Sequence, residues 1–169
     1  PHPTFRHQMF KEYKAHRPPT PQELINQFDK IKEVLKTLKI PIFEVKGYEG
    51  DDVLGTLSRQ AEKQEVECII LTGDTDTLQL VSPLVKVLLS HGSQKKTLYD
   101  EKKVEERYDG LGSQFIAEIK ALQGDPSDNI PGIPSVGAKT AIKLLKEFGS
   151  IKSIYDNIAK IPPGKIRDS

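Results

Sequence analysis

The sequence is poor in cysteine, in long apolar runs and in net charge, and each shortage excludes a class of protein. The single cysteine, Cys68, excludes an internal disulfide and any cysteine-based zinc cluster. No apolar run approaches the ~18 residues of a membrane span, and the opening stretch PHPTFRHQMF lacks the apolar core of a signal peptide. With 169 residues, 36% of them hydrophobic, the chain can bury a core. We therefore expect a soluble, monomeric, cytoplasmic protein that does not associate with membranes.

The formal net charge of +1 conceals an uneven distribution along the chain. Residues 1–39 carry 8 Lys and Arg against 4 Asp and Glu, residues 40–132 carry 10 against 17, and residues 133–169 carry 7 against 3. Basic flanks around an acidic centre are typical of a protein that binds a polyanion at two places and a cation between them. Ordinary solvated helix faces would give the same counts, so the charge pattern alone leaves both interpretations open.

The predicted elements alternate between strands and helices, as in an α/β protein. Thr20 and Glu23 have the spacing of a capping box, and apolar residues at three-and-four spacing predict an amphipathic helix of about five turns after them. The unbroken apolar run at 68–71 predicts a strand that is buried on both faces, as in a parallel sheet. The fold class expected is α/β with a mostly parallel central sheet flanked by helices. The further predicted elements are strands at 40–45, 66–74, VKVLLSH and KKTLYD, a helix from the acidic cluster to about Gln64, and only helices and turns beyond about Lys102.

Acidic residues follow two of the predicted strands. Glu49, Asp51 and Asp52 lie in GYEGDDVLGTL after the strand at 40–45, and Asp74 and Asp76 lie in TGDTD after the next strand. If the two strands are neighbours, these five carboxylates converge at one sheet edge, which requires a compensating cation or raised pKa values. Hard oxygen ligands favour Mg²⁺ or Mn²⁺ over zinc. Acidic residues also favour helix starts, which would account for one member of the first cluster.

A third acidic pair, Asp125 and Asp128, lies in the segment QGDPSDNIPGIPSVGAKTAIKLL. Asp-Pro-Ser-Asp-Asn is good turn chemistry by itself, so a purely structural turn is one interpretation. The other interpretation is a ligand group like those after the strands.

The remainder of this segment has the composition of a phosphate-binding helix start. Gly132 and Gly137 mark a tight turn into a helix whose beginning carries Lys139 and Thr140, with Lys143 and Lys146 beyond. Free backbone N–H groups at a helix start, with lysines beside them, can bind a phosphate.

Four segments resemble, in order and in approximate separation, the 5′ nuclease domains of bacterial DNA polymerase I, which belong to the flap endonuclease family. They are FRHQMFKEYKAHRPPTP, GYEGDDVLGTL, ILTGDTDTLQLV and GDPSDNIPGIPSVGAKTAIKLL. The resemblance covers nearly the whole chain. It implies a PIN-like nuclease core with a basic helical arch over residues 1–110, and a helical subdomain with a helix-three-turn-helix motif over residues 111–169.

The resemblance also implies a function. Members of the flap endonuclease family are metal-dependent, structure-specific 5′ nucleases (5′-3′ exonucleases and flap endonucleases). They hydrolyse phosphodiester bonds of 5′-flap or 5′-end DNA in replication and repair. Two ions of Mg²⁺ or Mn²⁺ and a K⁺ ion on the helix-three-turn-helix are the cofactors expected. The partners expected are flapped or branched duplex DNA, RNA primer–DNA and a covalently linked polymerase domain.

The site residues implied by the resemblance fall into three groups. The metal ligands would be Glu49, Asp51, Asp52, Asp74, Asp76, Asp125 and Asp128, with Asp74, Asp76 and Asp128 on the second ion. The catalytic residues would be Lys14, Arg17 and Asp74, the two basic residues acting on the scissile phosphate. The DNA-binding residues would be Arg6, Lys14, Arg17, Gly132, Ser135, Gly137, Lys139, Thr140 and Lys143. Tyr13 and Phe10 could stack on a base, but we expect both to be core residues.

Departures from the family pattern leave a second function open. Members normally open with two strands that each end in an aspartate, so we expect these N-terminal strands to be missing here and the first metal site to be incomplete. The alternative function is a non-catalytic, structure-specific DNA-binding module. Ser135 stands where the hairpin usually has glycine, and it would either tighten a phosphate contact or strain the turn.

Overall fold

The computed structural model describes residues 3–92 and 95–161 of the chain. Internal contacts divide the chain into two units, Pro1–Val53 and Leu54–Ser169, which are described separately below. No helix within the described ranges is both long and apolar enough to cross a membrane. The domain boundary predicted between residues 110 and 111 stays a prediction, and residues 162–169 of the predicted subdomain lie outside the described part.

The first unit begins with helix α1, Phe5–Met9, and a series of single turns at residues 11–16. The turns are closed by bonds such as that from the Tyr13 N–H to the Phe10 carbonyl, at 3.0 Å. Lys14 has φ of 56°, in the left-handed region that ends a right-handed helix. Residues 5–17, which we call the arch segment, therefore form a short helix followed by turns.

Helix α2, Gln22–Thr37, confirms the predicted amphipathic helix but not its predicted cap. Pro21 occupies the N-cap position with ψ of 139°, and no side chain caps the helix. Thr20 therefore lies one residue too early for a capping box with Glu23. The apolar face of α2 is 41–63% exposed at Leu24, Phe28, Ile31, Val34 and Leu38.

The segment at 40–45 is not a strand, and this prediction is wrong. Its apolar residues are about half exposed, at 47% for Ile40, 59% for Phe43 and 52% for Val45. A strand is stabilised by hydrogen bonds to a neighbour, and no strand lies beside this segment in the described part of the unit. Helix α3, Gly50–Lys63, begins after it and continues into the second unit, as predicted.

The second unit contains a three-stranded sheet of β1, Cys68–Thr72, β2, Val85–His91, and β3, Lys95–Tyr99. β1 and β2 pair in parallel, and β2 and β3 pair antiparallel. A connection as short as the one between β2 and β3 permits only antiparallel pairing. The α/β class is confirmed, but the described sheet is evenly mixed rather than mostly parallel.

Among residues 3–92 and 95–161, side chains cover one face of the sheet and leave apolar residues of β1 exposed on the other. Ile70, Val87 and Leu89 are buried in the main core, whereas Ile69 is 62% and Leu71 61% exposed. The prediction that β1 is buried on both faces is therefore wrong. A continuous apolar run shows that both faces of a strand are apolar, but not that both are covered.

Helices form the remainder of the second unit, as predicted. They are α4, Glu101–Arg107, α5, Ile116–Gln123, α6, Ala138–Phe148, and α7, Ile151–Asp156, with 3₁₀ turns at Thr75–Leu80, Ser113–Phe115 and Ile158–Lys160. Ile119 and Leu122 of α5 pack with Ala141, Leu144 and Leu145 of α6 in a second core. This packing supports the loop that carries Asp125 and the start of α6.

The loop between α5 and α6 is held by close backbone packing. Gly124, with φ of 79°, ends α5, and Asp125 and Ile130 exchange backbone hydrogen bonds of 2.8 and 2.9 Å. A Cβ on Gly132 would overlap the Gln123 carbonyl and the Gly124 nitrogen. Gly132 was predicted to bind DNA. The structure shows that backbone packing requires a glycine at this position.

We expect Gly132→Ala to lower the free energy of unfolding by at least about 2 kcal/mol, because the backbone must shift to accept a methyl group. For a chain of this size that loss lowers the Tm by about 4–8 °C. Gly50→Ala is the matched control, since nothing lies within 4 Å of a Cβ at that position. Equal Tm values for the two variants would contradict the packing argument.

Candidate functional site

Glu49, in the first unit, is held by two side chains of the arch segment. The Lys14 ammonium lies 2.8 Å from Glu49 Oε2, and the Tyr13 hydroxyl donates to the same oxygen at 3.0 Å. Burial alone would raise the pKa of Glu49, but these two hydrogen bonds hold it below its usual value.

Tyr13 and Phe10 were both expected to be core residues. Tyr13 is 4% exposed, which confirms the expectation, whereas Phe10 is 39% exposed, so the expectation is wrong for Phe10.

Asp52 combines an ion pair with a structural role at the start of α3. The two terminal guanidinium nitrogens of Arg6 each donate to the Asp52 carboxylate at 2.7 Å. Asp52 Oδ2 also accepts the backbone N–H of Glu49 at 2.8 Å. The Arg6 guanidinium lowers the pKa of Asp52. Asp52 is thus the member of the cluster that stabilises the helix start, and Arg6, predicted to bind DNA, is paired with it.

A pocket of about 730 Å³ in the first unit brings several of the predicted residues together. Lys14 and Arg17 line it together with Glu49, Asp51 and Tyr48. Basic and acidic side chains therefore share one open cavity, the combination needed to bind a phosphate beside a cation.

Two predicted ligands of the second unit share one lysine, and a third bonds to the backbone of the first of them. The Lys120 ammonium lies 2.8 Å from Asp76 Oδ1 and 2.9 Å from Asp125 Oδ2. Asp74 precedes the 3₁₀ turn and accepts the Asp76 N–H at 2.9 Å. We call Asp74, Asp76, Asp125 and Lys120 the Asp76 cluster.

The two carboxylates that share Lys120 have pKa values shifted in opposite directions. Burial raises the pKa of Asp76, and the charges of Asp74 and Asp125 raise it further, despite the opposing effect of Lys120. Asp125 behaves differently, because hydrogen bonds from Lys120 and Ser127 outweigh burial and lower its pKa to about 2.

Asp125 and Asp128 also build the loop after α5. Asp125 Oδ1 accepts the N–H of Ser127 at 2.9 Å and its hydroxyl at 2.7 Å, while Asp125 is 7% exposed. The Asp128 N–H donates to the Asp125 carbonyl at 3.1 Å. The turn interpretation of this segment is thus correct for Asp125, whose second oxygen still faces the lysine.

A hard divalent ion fits the donors of the Asp76 cluster but not their present arrangement. Across residues 3–92 and 95–161, no three His, Cys, Asp or Glu side chains are grouped as a ready-made metal site. The Lys120 ammonium already stands between Asp76 and Asp125, where a shared cation would bind. The predicted convergence of five carboxylates rested on a strand at 40–45, and it remains a prediction.

The start of α6 has the features of a phosphate site. Gly137 is its N-cap, its first turn has no acidic residue, and Lys139 and Lys143 are exposed on one face. Thr140 is half-buried beside them. Ser135 has φ of 68°, in the left-handed region that strains a residue with a side chain. A glycine at this position would relieve the strain in the turn before α6.

Lys120 is the residue that sequence reasoning missed. It is 44 positions from Asp76, so spacing could not connect the two residues. The available signal was a lysine in the mostly apolar stretch FIAEIKAL, which contains one other charged residue, Glu118, and belongs to the helix that precedes Asp125. The pairing of Arg6 and Lys14 with the first acidic cluster was also not foreseen.

Solved structures share this fold. A T5 5′-exonuclease mutant matches with a TM-score of 0.79 at 21% identity, over 98% of this chain and 62% of that one. A T5 protein crystallised with metal ions matches with a TM-score of 0.82 at 23% identity, over 98% and 65%. The catalytic core of Rad2 with a DNA substrate matches with a TM-score of 0.62 at 18% identity, over 98% and 53%. At these identities the likeness establishes the fold alone.

Curated relatives are more similar in sequence. DNA polymerase I of Chloroflexus aurantiacus is 48% identical over 162 residues, which cover 94% of this chain and 17% of the relative. DNA polymerase I of Bacillus caldotenax is 42% identical over 167 residues, covering 98% and 19%. The chain thus spans about a fifth of the length of these relatives.

Two family models match consecutive parts of the chain. The 5′-3′ exonuclease N-terminal resolvase-like domain matches residues 1–109, and the 5′-3′ exonuclease C-terminal SAM fold matches residues 111–169. Together with the fold and the curated relatives, these matches establish that the chain belongs to the 5′-3′ exonuclease family.

Proposed function

We propose that this chain is the part of a DNA polymerase I that hydrolyses phosphodiester bonds at 5′ flaps and 5′ ends of DNA, with Mg²⁺ or Mn²⁺ as cofactor. The observation that carries the proposal is the match of both 5′-3′ exonuclease family models across the chain. Structural neighbours include a T5 flap endonuclease complex with DNA and metal ions. The acidic clusters and the basic start of α6 supply the chemistry that such a reaction needs.

The carboxylates would hold two divalent ions. Asp74, Asp76 and Asp128 would bind one of them, with Asp125 beside them, and the cluster at 49–52 would contribute to the other. When bound, the ions supply hydroxide near neutral pH and stabilise the charge on the phosphorus. In each unit, the carboxylates would hold an ion through their oxygens.

Basic residues would position the DNA. Lys14 and Arg17, which line the pocket beside Glu49, would neutralise charge that develops on the scissile phosphate. The free N–H groups and lysines at the start of α6 would bind the duplex backbone, which fixes where the cut falls without reading sequence.

Further parts of the proposal concern cofactors and context. Backbone carbonyls of the turn before α6 would hold a K⁺ ion. The chain would act in the cytoplasm as a monomer, covalently joined to a polymerase domain, on flaps, branched duplexes or RNA primers. The length of the curated relatives supports a linked domain.

A second candidate function is structure-specific DNA binding without cleavage. It is favoured by the observation that no three acidic side chains in the described ranges form a ready metal site. In that case the clusters are structural, and Lys120, Lys14 and Arg6 are their permanent partners.

Single-turnover cleavage of a labelled 5′-flapped duplex, measured on the full-length protein, separates the two functions. We expect cleavage with Mg²⁺ or Mn²⁺ and none after chelation. We expect Asp76→Asn to slow the chemical step by several orders of magnitude, because one ligand and its charge are lost, while the Kd for the flap changes little. Asp109→Asn, in an exposed pair with Lys146, is the matched control and should cleave normally. A wild-type protein that binds the flap but never cleaves it would establish the second function.

Thermal melts test ion binding without activity. We expect Mg²⁺ or Mn²⁺ at 100 times its Kd to stabilise the protein by about 2.7 kcal/mol, because the ion binds the folded state alone. That gain raises the Tm by about 5–10 °C. The shift should be lost in Asp76→Asn and kept in Asp109→Asn, and an equal shift in both variants would place the ion elsewhere.

Salt dependence tests the role of α6. We expect Lys139→Ala and Lys143→Ala each to reduce the slope of log K against log salt by about 0.9 for duplex DNA, because each removes one phosphate contact. Sequence preference should not change. Lys146→Ala is the control on the same helix, because Lys146 pairs with Asp109 at 2.9 Å. Unchanged slopes for the first two variants would place duplex binding on another surface.

A further inference from the structure

Lys120 is a single ammonium group shared by two carboxylates from different parts of the second unit. Asp76 lies in the 3₁₀ turn after β1, and Asp125 lies in the loop after α5. The two N–O distances, 2.8 and 2.9 Å, are those of full hydrogen-bonded ion pairs. The lysine therefore joins two elements at the centre of the proposed ion site.

The lysine does not neutralise the cluster. One positive charge stands beside two carboxylates at 2.8 and 2.9 Å, and a third, Asp74, accepts the Asp76 N–H. The cluster thus keeps an attraction for a cation of higher charge. A divalent ion that binds both Asp76 and Asp125 must take the position that the ammonium holds.

Two features distinguish the pairs of Lys120 from a purely structural ion pair. Asp125 is also held by the N–H and hydroxyl of Ser127 on its other oxygen, so the orientation of Asp125 does not depend on Lys120 alone. The lysine side chain is 31% exposed, whereas the Asp125 side chain is 10% exposed. The ammonium can therefore move into solvent, but only when another cation takes its place beside the buried carboxylate.

We propose that Lys120 is an internal counter-ion that competes with the divalent ion for Asp76 and Asp125. It lets the carboxylates stay together before the ion binds, and it raises the ion concentration at which the site fills. This inference rests on the proposed function, because it assigns a role at the same ion site. Lys120 is thus a positioning residue, which acts on the ion through the two carboxylates.

Calorimetric titration of the ion-free, full-length protein with Mn²⁺ tests the competition directly. Lys120→Gln removes the charge but keeps a hydrogen-bonding side chain, and Lys120→Met is a second charge-free variant should the first fold poorly. Because the competing charge is removed, we expect the Kd for Mn²⁺ at this site to fall about tenfold or more. Lys120→Arg keeps the charge and should restore a Kd close to that of the wild type. Lys146→Gln, which removes a lysine from an exposed pair, should leave the Kd unchanged.

Two further readouts complete the test. The Tm of ion-free Lys120→Gln should be lower than that of the wild type, and its rise on adding Mn²⁺ should be larger. An unchanged or weaker Mn²⁺ affinity in both charge-free variants would overturn the competition. If Asp76→Asn still abolished Mn²⁺ binding in that case, the proposed ion site would stand without it. If no variant and no wild-type protein bound Mn²⁺, both the site and the competition would be wrong.

Discussion

Clustered carboxylates remain ionised in a folded protein only if cations lie beside them, and this chain supplies those cations from its own side chains. Lys14 and Arg6 compensate Glu49 and Asp52 in the first unit, and Lys120 compensates Asp76 and Asp125 in the second. Without them, mutual repulsion and burial would raise the pKa values of the acids or drive them apart. The geometry of both acidic groups therefore depends on these ion pairs.

The acids have local structural roles as well. Asp74 accepts the Asp76 N–H at the start of a 3₁₀ turn, Asp125 orders its loop through Ser127, and Asp52 accepts the Glu49 N–H at the start of α3. The structural and functional interpretations of these residues are thus compatible. A carboxylate has two oxygens and several lone pairs, so one oxygen can fix the backbone while the other faces a cation. The local bonds orient each ligand before any ion binds.

Sequence patterns predicted those elements that depend on their own residues, such as α2, α3 and α6 with their apolar periodicity, and the strands β1, β2 and β3. They failed where the outcome depends on a distant partner. The apolar segment at 40–45 has no neighbouring strand in the described part of its unit, and β1 is covered on one face only. The motifs around Asp76 and Asp125 identified both residues as candidate metal ligands. Lys120 belongs to no recognised motif and was not predicted. The fold decides which basic residue lies beside each acid, so the spacing of residues along the sequence cannot identify these basic partners.

The strength of these ion pairs decides whether they can be exchanged. An ion pair at the surface contributes about 0–1 kcal/mol, whereas breaking a fully buried pair costs several times more. Lys120 and Asp76 are 31% and 29% exposed, and Arg6 and Asp52 are 34% and 22% exposed, so these pairs lie between the two limits. Pairs of intermediate exposure hold the carboxylates in place, yet breaking them costs less free energy than breaking a fully buried pair. Full burial would make the compensation permanent, and full exposure would leave the acids unordered.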